Sequence, residues 1–314
     1  MARSRRRGRH ENRMSDDELT FDRGDAKSGV VSRVSPLVRR LIANNPSPFT
    51  FTGTCAYIVG TGKVAIIDPG PLDEAHIDAL LEAVRGESVE RILVTHTHRD
   101  HASAALGLKA KTGATILGAS RFSPRQDVGE AKGLDAAHDL AYAPDRILRD
   151  GERVEGETYT LETVSTPGHA ANHLSFALIE ENTLFSGDHV MAWSTSVVAP
   201  PDGSMGDYMA SLEKLRARGE TLYWPGHGGP VVAPQRYLRG LIHHRRQREV
   251  AILGRIQAGD QTIPEIVDKI YVGLNAALVG AARLSTLAHL QDLLARGLVK
   301  SDGEPSLNAR FFPP

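Results

Sequence analysis

The stretch THTHRDH at residues 95–101, directly behind the apolar run RILV, places three histidines and an aspartate at the end of an expected buried strand. His96 and His98 are two apart, so at an extended strand end they point to the same side. Where the chain turns into a helix near Ala102, Asp100 and His101 converge on a second point close by. One segment thus offers ligands to two metal ions. Imidazole and carboxylate suit zinc, iron or manganese, and two ions roughly 3.5–4 Å apart form a known hydrolytic arrangement. The plain alternative is a histidine-rich surface turn. Three later segments tell against it: STPGHAANH (165–173), LFSGDHV (184–190) and YWPGHGGP (223–230). Each presents a ligand-type side chain, His169, Asp188 or His227, at a strand terminus beside glycine, where backbone can approach a site closely.

Composition narrows what else the chain can be. Its 314 residues, 41% hydrophobic and 24% charged, suffice for one large core plus a smaller module. No window approaches the roughly 18 apolar residues of a membrane span, and no secretory signal opens the chain. The cytoplasm is therefore the expected compartment, with no membrane partner. The single cysteine, Cys55, rules out an internal disulfide framework and a thiolate cluster. Any metal must be held by histidine and carboxylate. Net charge is −1, but MARSRRRGRHENR holds six arginines and one glutamate; without it 31 basic face 37 acidic residues, a formal −6. Residues 1–25 are expected to form a disordered basic arm. Met14 offers a second start of translation.

The body alternates strands and helices. CAYIVG (55–60) and KVAIIDPG (63–70) read as a hairpin, LDEAHIDALLEAV (72–84) as a helix and RILVTH (91–96) as a buried strand. A helix ending at Gly113 and a strand at ATILG follow. Residues 120–146 read as a loop or short helices walling one face. Strands are expected at 158–166, 173–180, 182–188 and 221–227, with a helix at 207–218. Two halves of strands followed by helices suggest an α/β fold in four layers: helix, sheet, sheet, helix. From residue 236 the texture becomes helical, and Leu287, Leu290, Leu294 and Leu298 recur at helical spacing before KSDG and ARFF, which read as a hairpin. Three helices and a hairpin make a small winged-helix pattern. The expected division is an arm (1–25), a catalytic domain (26–235) and a linker helix with winged helix (236–314).

The ordered set HTHRDH, His169, Asp188 and His227 resembles the metallo-β-lactamase superfamily and its αββα fold, over roughly residues 50–230. The resemblance implies that His96, His98 and His169 bind one ion, that Asp100, His101 and His227 bind the other, and that Asp188 bridges them. It also implies two divalent ions, most readily Zn2+, a catalytic part for Asp100, and support of the ligand segment by Asp68 at the end of IIDPG. HHRRQREVAIL, SGDHVM and DYMASLEKL are similar to the subgroup of β-lactamase-like protein 2, whose animal mitochondrial member is a single-strand-specific endoribonuclease. Lactamases with a cysteine ligand would need it where Asp188 stands. The 39 residues from Asp188 to His227 leave no room for a β-CASP insertion, and the appended flavodoxin-like domain of the diiron relatives is absent.

Two divalent ions, two carboxylates and a hydroxide would leave the centre at about +1, favouring an anionic or polarised substrate. Three readings stay open. One is an endoribonuclease acting on single-stranded RNA, with the basic helix around Arg239, His243, His244, Arg245, Arg246 and Arg248 contacting phosphates. Another is a thioester or small-molecule ester hydrolase of glyoxalase II type. The third, of a different class, is a non-catalytic nucleic-acid-binding winged-helix protein. Asn172, His173, Trp193 and Thr195 are candidates for contacting substrate, and His189 is expected to point away from the site.

Overall fold

The computed structural model describes residues 19, 21–22, 27–123 and 137–314. Most of the expected basic arm, and residues 124–136 of the expected wall, lie outside the described residues. Seven strands lie side by side in chain order: β1 (Ser32–Arg33), β2 (Val38–Ile42), β3 (Cys55–Val59), β4 (Lys63–Ile67), β5 (Ser88–Val94), β6 (Thr115–Gly118) and β7 (Arg146–Ile147). The first three pairings are antiparallel and the last three parallel. A second sheet holds β8 (Arg153–Glu155), β9 (Thr160–Ser165), β10 (Leu174–Leu178), β11 (Thr183–Gly187), β12 (Leu222–Pro225) and β13 (Val231–Val232), again in chain order. There only the β11–β12 pairing is parallel.

Period-2 alternation explains how the layers stack. Cys55, Tyr57 and Val59 of β3 face the second sheet and meet Phe176, Phe185 and Trp224 in a core between the sheets. Ala56 and Ile58, on the opposite face, pack against Ile77, Leu80 and Leu108. Those residues belong to α1 (Glu74–Ala83) and α3 (Ala105–Thr112), with the short α2 (Arg99–Ala102) between them. Beyond the second sheet, α4 (Met205–Arg216) and the first half of α5 (Pro234–Gln257) cover Val164, Leu184 and Tyr223. With both faces of each sheet covered, β3 and β10 are buried throughout, as a double-sided sheet requires. This is the four-layer arrangement expected from the sequence.

The chain closes with α6 (Ile263–Ile270), α7 (Val279–Ala295) and a hairpin of β14 (Lys300–Ser301) and β15 (Phe311–Phe312). Thr262 and Glu265 cap α6 reciprocally, each side chain taking the other's backbone N–H. Ile252 and Ile256 of α5 join Ile263, Ile266, Leu290, Leu293 and Phe311 in a separate core. Packing therefore changes hands midway along α5 rather than at residue 236: Leu238, Leu241 and Ile242 belong to the larger body.

Several strands lie outside the sequence reading, among them β2 and β8. Strand β2 (VRRLI) was not expected, because two arginines hide its apolar alternation. Arg39 reaches the Ala83 carbonyl and Glu87 through Nη1, and Arg40, 8% exposed, donates to the Gly228 carbonyl at 3.2 Å. Strand β8 (RVE) lies just past the expected wall and is shorter still, with a charged residue at each end.

Candidate metal centre

Strand direction assembles the site. β4 and β5 run parallel, as do β11 and β12, and two antiparallel steps bring β9 into the same sense as β11. The C-terminal ends of all five strands therefore lie along one edge, where the sheets meet. Leu174 N donates to the Thr95 carbonyl at 2.8 Å and Cys55 N to the Gly226 carbonyl at 2.7 Å, tying the sheets together at this edge.

Each ligand-type residue follows one of those ends. His96 Nε2 lies 3.0 Å from His98 Nδ1, which lies 3.1 Å from His169 Nε2. Asp100 Oδ2 is 3.3 Å from both His101 Nε2 and His227 Nε2. Asp188 stands between these trios: Oδ1 is 3.4 Å from His101 Nε2, while Oδ2 is 3.4 Å from His227 Nε2 and 3.6 Å from His169 Nε2. Such spacings are close to the ~3.3 Å edge of a tetrahedron with ~2.05 Å metal–nitrogen bonds.

The donor set fits cations. A neutral ring nitrogen carries one proton or one lone pair, so the nitrogens converging on His98 Nδ1 cannot all satisfy one another; a cation can accept a lone pair from each. His101 Nε2 and Asp188 Oδ1 are buried with no hydrogen-bond partner among the described residues. The ligand atoms of His96, His98 and His169, and those of Asp100, His101 and His227, each fall within 4.8 Å of one another.

Electrostatics divides the trios. Burial, then the neighbouring His101 and His98 rings, push His96 well below the usual histidine range. Burial, His169 and His138 bring His98 down to about 3. Burial would also lower His101 and His227, but Asp100 and Asp188 outweigh it, holding His101 well above its usual value and His227 at about 9. Likewise burial would raise Asp188 and Asp100, yet His227 and His101 keep both carboxyls well below the carboxylate range.

Outer partners fix these rings. Asp68, in the left-handed region at φ 48°, accepts from Thr95 N and Thr95 Oγ1 at 2.8 Å and pairs with His101 Nδ1 at 2.9 Å. A non-glycine residue held there is strained. Thr54 Oγ1 donates to Asp100 Oδ2 at 3.0 Å, and the Gly53 carbonyl accepts from His227 Nδ1 at 3.3 Å. Two glycines make room: a Cβ at Gly226 would stand 2.4 Å from Asp188 Oδ1, and one at Gly187 would stand 2.5 Å from His173 Nε2.

The expected substrate residues fare differently. His173 is enclosed, with Nδ1 2.9 Å from Thr166 Oγ1 and Nε2 accepting from Asp188 N at 3.1 Å. It supports the Asp188 backbone and has no nitrogen left for substrate. Asn172 Nδ2 donates to Thr97 Oγ1 and the Ser120 carbonyl, while its Oδ1 has no partner among the described residues. Trp193 stacks on Phe51 at 5.1 Å, so its ring serves packing. Thr195, half-buried in the same segment, accepts from Ser194 through its carbonyl. His189 is fully buried, its ring 4.6 Å from that of Tyr208 and 5.9 Å from that of His173.

Sequence reasoning missed His138. It lies against His98 with ring centroids 4.6 Å apart, stacks on Phe122, and reaches Asp202 at 3.4 Å and Thr97 Oγ1 at 2.9 Å. With Asp202, Val197 and Pro201 it encloses a cavity of about 90 Å³ beside His98 and His169. Nothing in DAAHDLAY marks His138 as near the site; only the fold brings it there.

On the other side of Asp100 opens a wider trough of about 580 Å³ lined by Pro71, Leu72, Arg99, Ser103, Leu106, Gly107, Asp139 and Ala141. The basic helix, by contrast, turns part of its charge towards the protein itself. Arg245 is buried, Arg246 pairs with Glu213, and Arg248 lies over Tyr271 and donates to the Ile270 carbonyl. Burial and the adjacent arginines lower His244 to about 4.

Comparison with known proteins agrees with this architecture. A family model described as metallo-beta-lactamase superfamily matches residues 49–227, and one described as beta-lactamase associated winged helix domain matches residues 262–307. A beta-lactamase-like protein 2 homolog of Caenorhabditis elegans is 29% identical, covering 86% of this chain and 88% of its own. An atrochrysone carboxyl ACP thioesterase of Paecilomyces divaricatus is 30% identical over 89% of this chain and 85% of its own. The crystal structure of a beta-lactamase domain protein from Burkholderia ambifaria shares the fold, with TM-score 0.77 and 22% identity over 95% of this chain and 99% of that one.

Proposed function

Because this chain belongs to the metallo-beta-lactamase superfamily, and so is a metal-dependent hydrolase, we propose that its substrates are acyl thioesters or similarly activated esters. The observation that carries this reading is the trough against Asp100: its Pro71, Leu72, Leu106 and Ala141 side chains suit an apolar acyl group. The thioesterase named among the relatives supports it, as does the engagement of Arg245 and Arg248 with backbone carbonyls inside the fold, which takes two cations out of a phosphate-binding track.

In this reading His96, His98 and His169 hold one divalent ion, Asp100, His101 and His227 hold a second, and Asp188 lies between them. Zinc is the metal these imidazoles suit best. The ions would lower the pKa of a water towards ~7 and polarise the scissile carbonyl. The chain's own residues do the rest. Asp100, anchored by Thr54, orients the nucleophile and stands nearest the trough. Asp68 keeps the Nδ1 proton of His101 on the outer side, leaving Nε2 free for a ligand bond. Arg99, exposed at the trough's rim with Nε donating to the His138 carbonyl, offers its remaining donors to an anionic leaving group.

Single-stranded RNA is the second reading. The winged-helix match and the exposed Arg236, Arg239 and His243 on α5 favour it. The deciding experiment sets a panel of acyl-CoA and acyl-cysteamine thioesters beside labelled single-stranded RNA, with and without chelator and with Asp100→Ala. Thioester turnover lost in both controls, with RNA intact, supports the proposal. Metal-dependent RNA cleavage with the thioesters untouched replaces it with the nuclease.

A further inference from the structure

Like His227, His169 is held on its outer side by a backbone carbonyl. Its Nδ1 lies 2.6 Å from the Val197 carbonyl, and a carbonyl can only accept, so the proton sits on Nδ1 and the lone pair on Nε2. Nε2 is the atom aimed at His98 and Asp188. The position of one carbonyl therefore sets both the tautomer and the aim of this ring.

That carbonyl lies in a segment, 195–199, with no helix or strand of its own. Its neighbours are gripped from outside. Arg245 of α5 donates through Nη2 to the Ser196 carbonyl, and Ser285 of α7 donates through Oγ to the Val198 carbonyl at 3.4 Å. Three successive carbonyls are thus engaged, the outer two by the C-terminal helices and the middle one by His169. Ser196 and Val198 are buried, and Val198 shares a core with Ala288 of α7 and Leu241 of α5.

Arg245 is an expensive residue for plain packing. It is 4% exposed, its Nε has no acceptor among the described residues, and its guanidinium lies 5.0 Å over the Tyr208 ring. A buried cation costs more than an apolar side chain of the same size unless its hydrogen bonds do something specific. Tyr208 and Ser196 both donate to the His189 carbonyl, at 3.1 and 2.9 Å, so the same cluster fixes the chain directly behind Asp188.

We infer that the C-terminal module is a working part of the metal centre, with Arg245 and Ser285 as positioning residues that hold the 196–198 carbonyls and through them orient His169. The inference rests on the ligand assignment proposed above. It gives the winged-helix module a task that needs no nucleic acid.

The test measures the affinity of each of the two zinc sites, by competition with chromophoric chelators, in wild type, Arg245→Met, Arg245→Lys and Ser285→Ala. The visible spectrum of the cobalt-substituted protein and the unfolding midpoint of the metal-free protein are recorded beside it. Arg245→Met and Ser285→Ala should weaken the site containing His169 by about 10–100-fold and alter its cobalt bands, leaving the other site within about twofold. Arg245→Lys, which keeps a donor, should recover part of the loss. Equal weakening of both sites, or no change in either, overturns the inference whatever the midpoint does. A wild-type protein that takes up fewer than two ions overturns the ligand assignment itself, and the inference with it.

Discussion

His101 and His227 carry protons in the metal-free protein, since Asp100 and Asp188 hold both rings above their usual range. A ligand nitrogen must be bare, so filling the trio with Asp100 must expel those protons. Calorimetric titration with zinc in two buffers of different ionisation enthalpy should show more protons released at about pH 7 than at about pH 10, where His227 is already bare. An equal count at both would contradict the site's electrostatics. Asp188 faces both trios, so Asp188→Ala should deplete both ions and cost more activity than the ~10–100-fold that loss of an outer partner such as Asp68 costs. Two ions and full turnover in that variant would refute the assignment. Gly226→Ala tests the same place by crowding: its Cβ would meet Asp188 Oδ1 at 2.4 Å and His101 Cε1 at 2.7 Å. Metal content should fall while the far-ultraviolet spectrum is kept.

At the level of elements, the sequence exposed the frame and the ligand-bearing ends but not what lies around them. β3, β4 and β5 were legible because apolar runs end at Gly, Pro or His, and α7 because its leucines recur at helical spacing. β2 was not, since Arg39 and Arg40 are charged in sequence yet find partners only across the fold. His138 and Val197 were illegible for the same reason: their roles come from contacts between segments far apart in the chain. His173 turns from the site to the Asp188 backbone: proximity in sequence to His169 does not decide which way a side chain faces. The capping box of α6 was also unforeseen, and it yields a local prediction. Thr262→Ala should lower stability by about 1 kcal/mol in chemical denaturation, with zinc content unchanged, because the hydrogen bonds to the Ser196 and Val198 carbonyls come from α5 and α7. A loss of zinc from this variant would argue that the whole module, rather than α5 and α7, supports the centre.

For the whole molecule, the shared core makes the C-terminal region hard to remove. Leu238, Leu241 and Ile242 pack with Leu184, Tyr208 and Tyr223, so a chain ending before α5 should be insoluble or fail to unfold cooperatively. A cooperative, monomeric truncation would show that the larger body stands alone. Stability should also depend on pH differently with and without metal. The stability contributed by raised His101 and His227 is complete below the unfolded value of about 6.5 and is lost as pH rises through their folded values, about 9 for His227. His96, His98 and His173 are depressed bases, so stability falls as pH drops below about 6.5 and the unfolded chain takes up protons that the folded one refuses. The metal-free midpoint should therefore peak near pH 6.5, and the alkaline slope should vanish on loading with zinc; a metal-free midpoint still climbing at pH 9 would contradict this. The trough leaves one more consequence. Apart from Asp100, the side chains that line it, from Pro71 and Leu72 through Arg99, Ser103 and Leu106 to Asp139 and Ala141, belong to neither trio, although Arg99 and Ser103 stand in the same stretch of chain as Asp100 and His101. On the thioesterase reading, the side chains that would break a bond and those that would select the molecule are thus almost all different ones, even where they share a stretch of chain, so a change of diet needs no change of teeth.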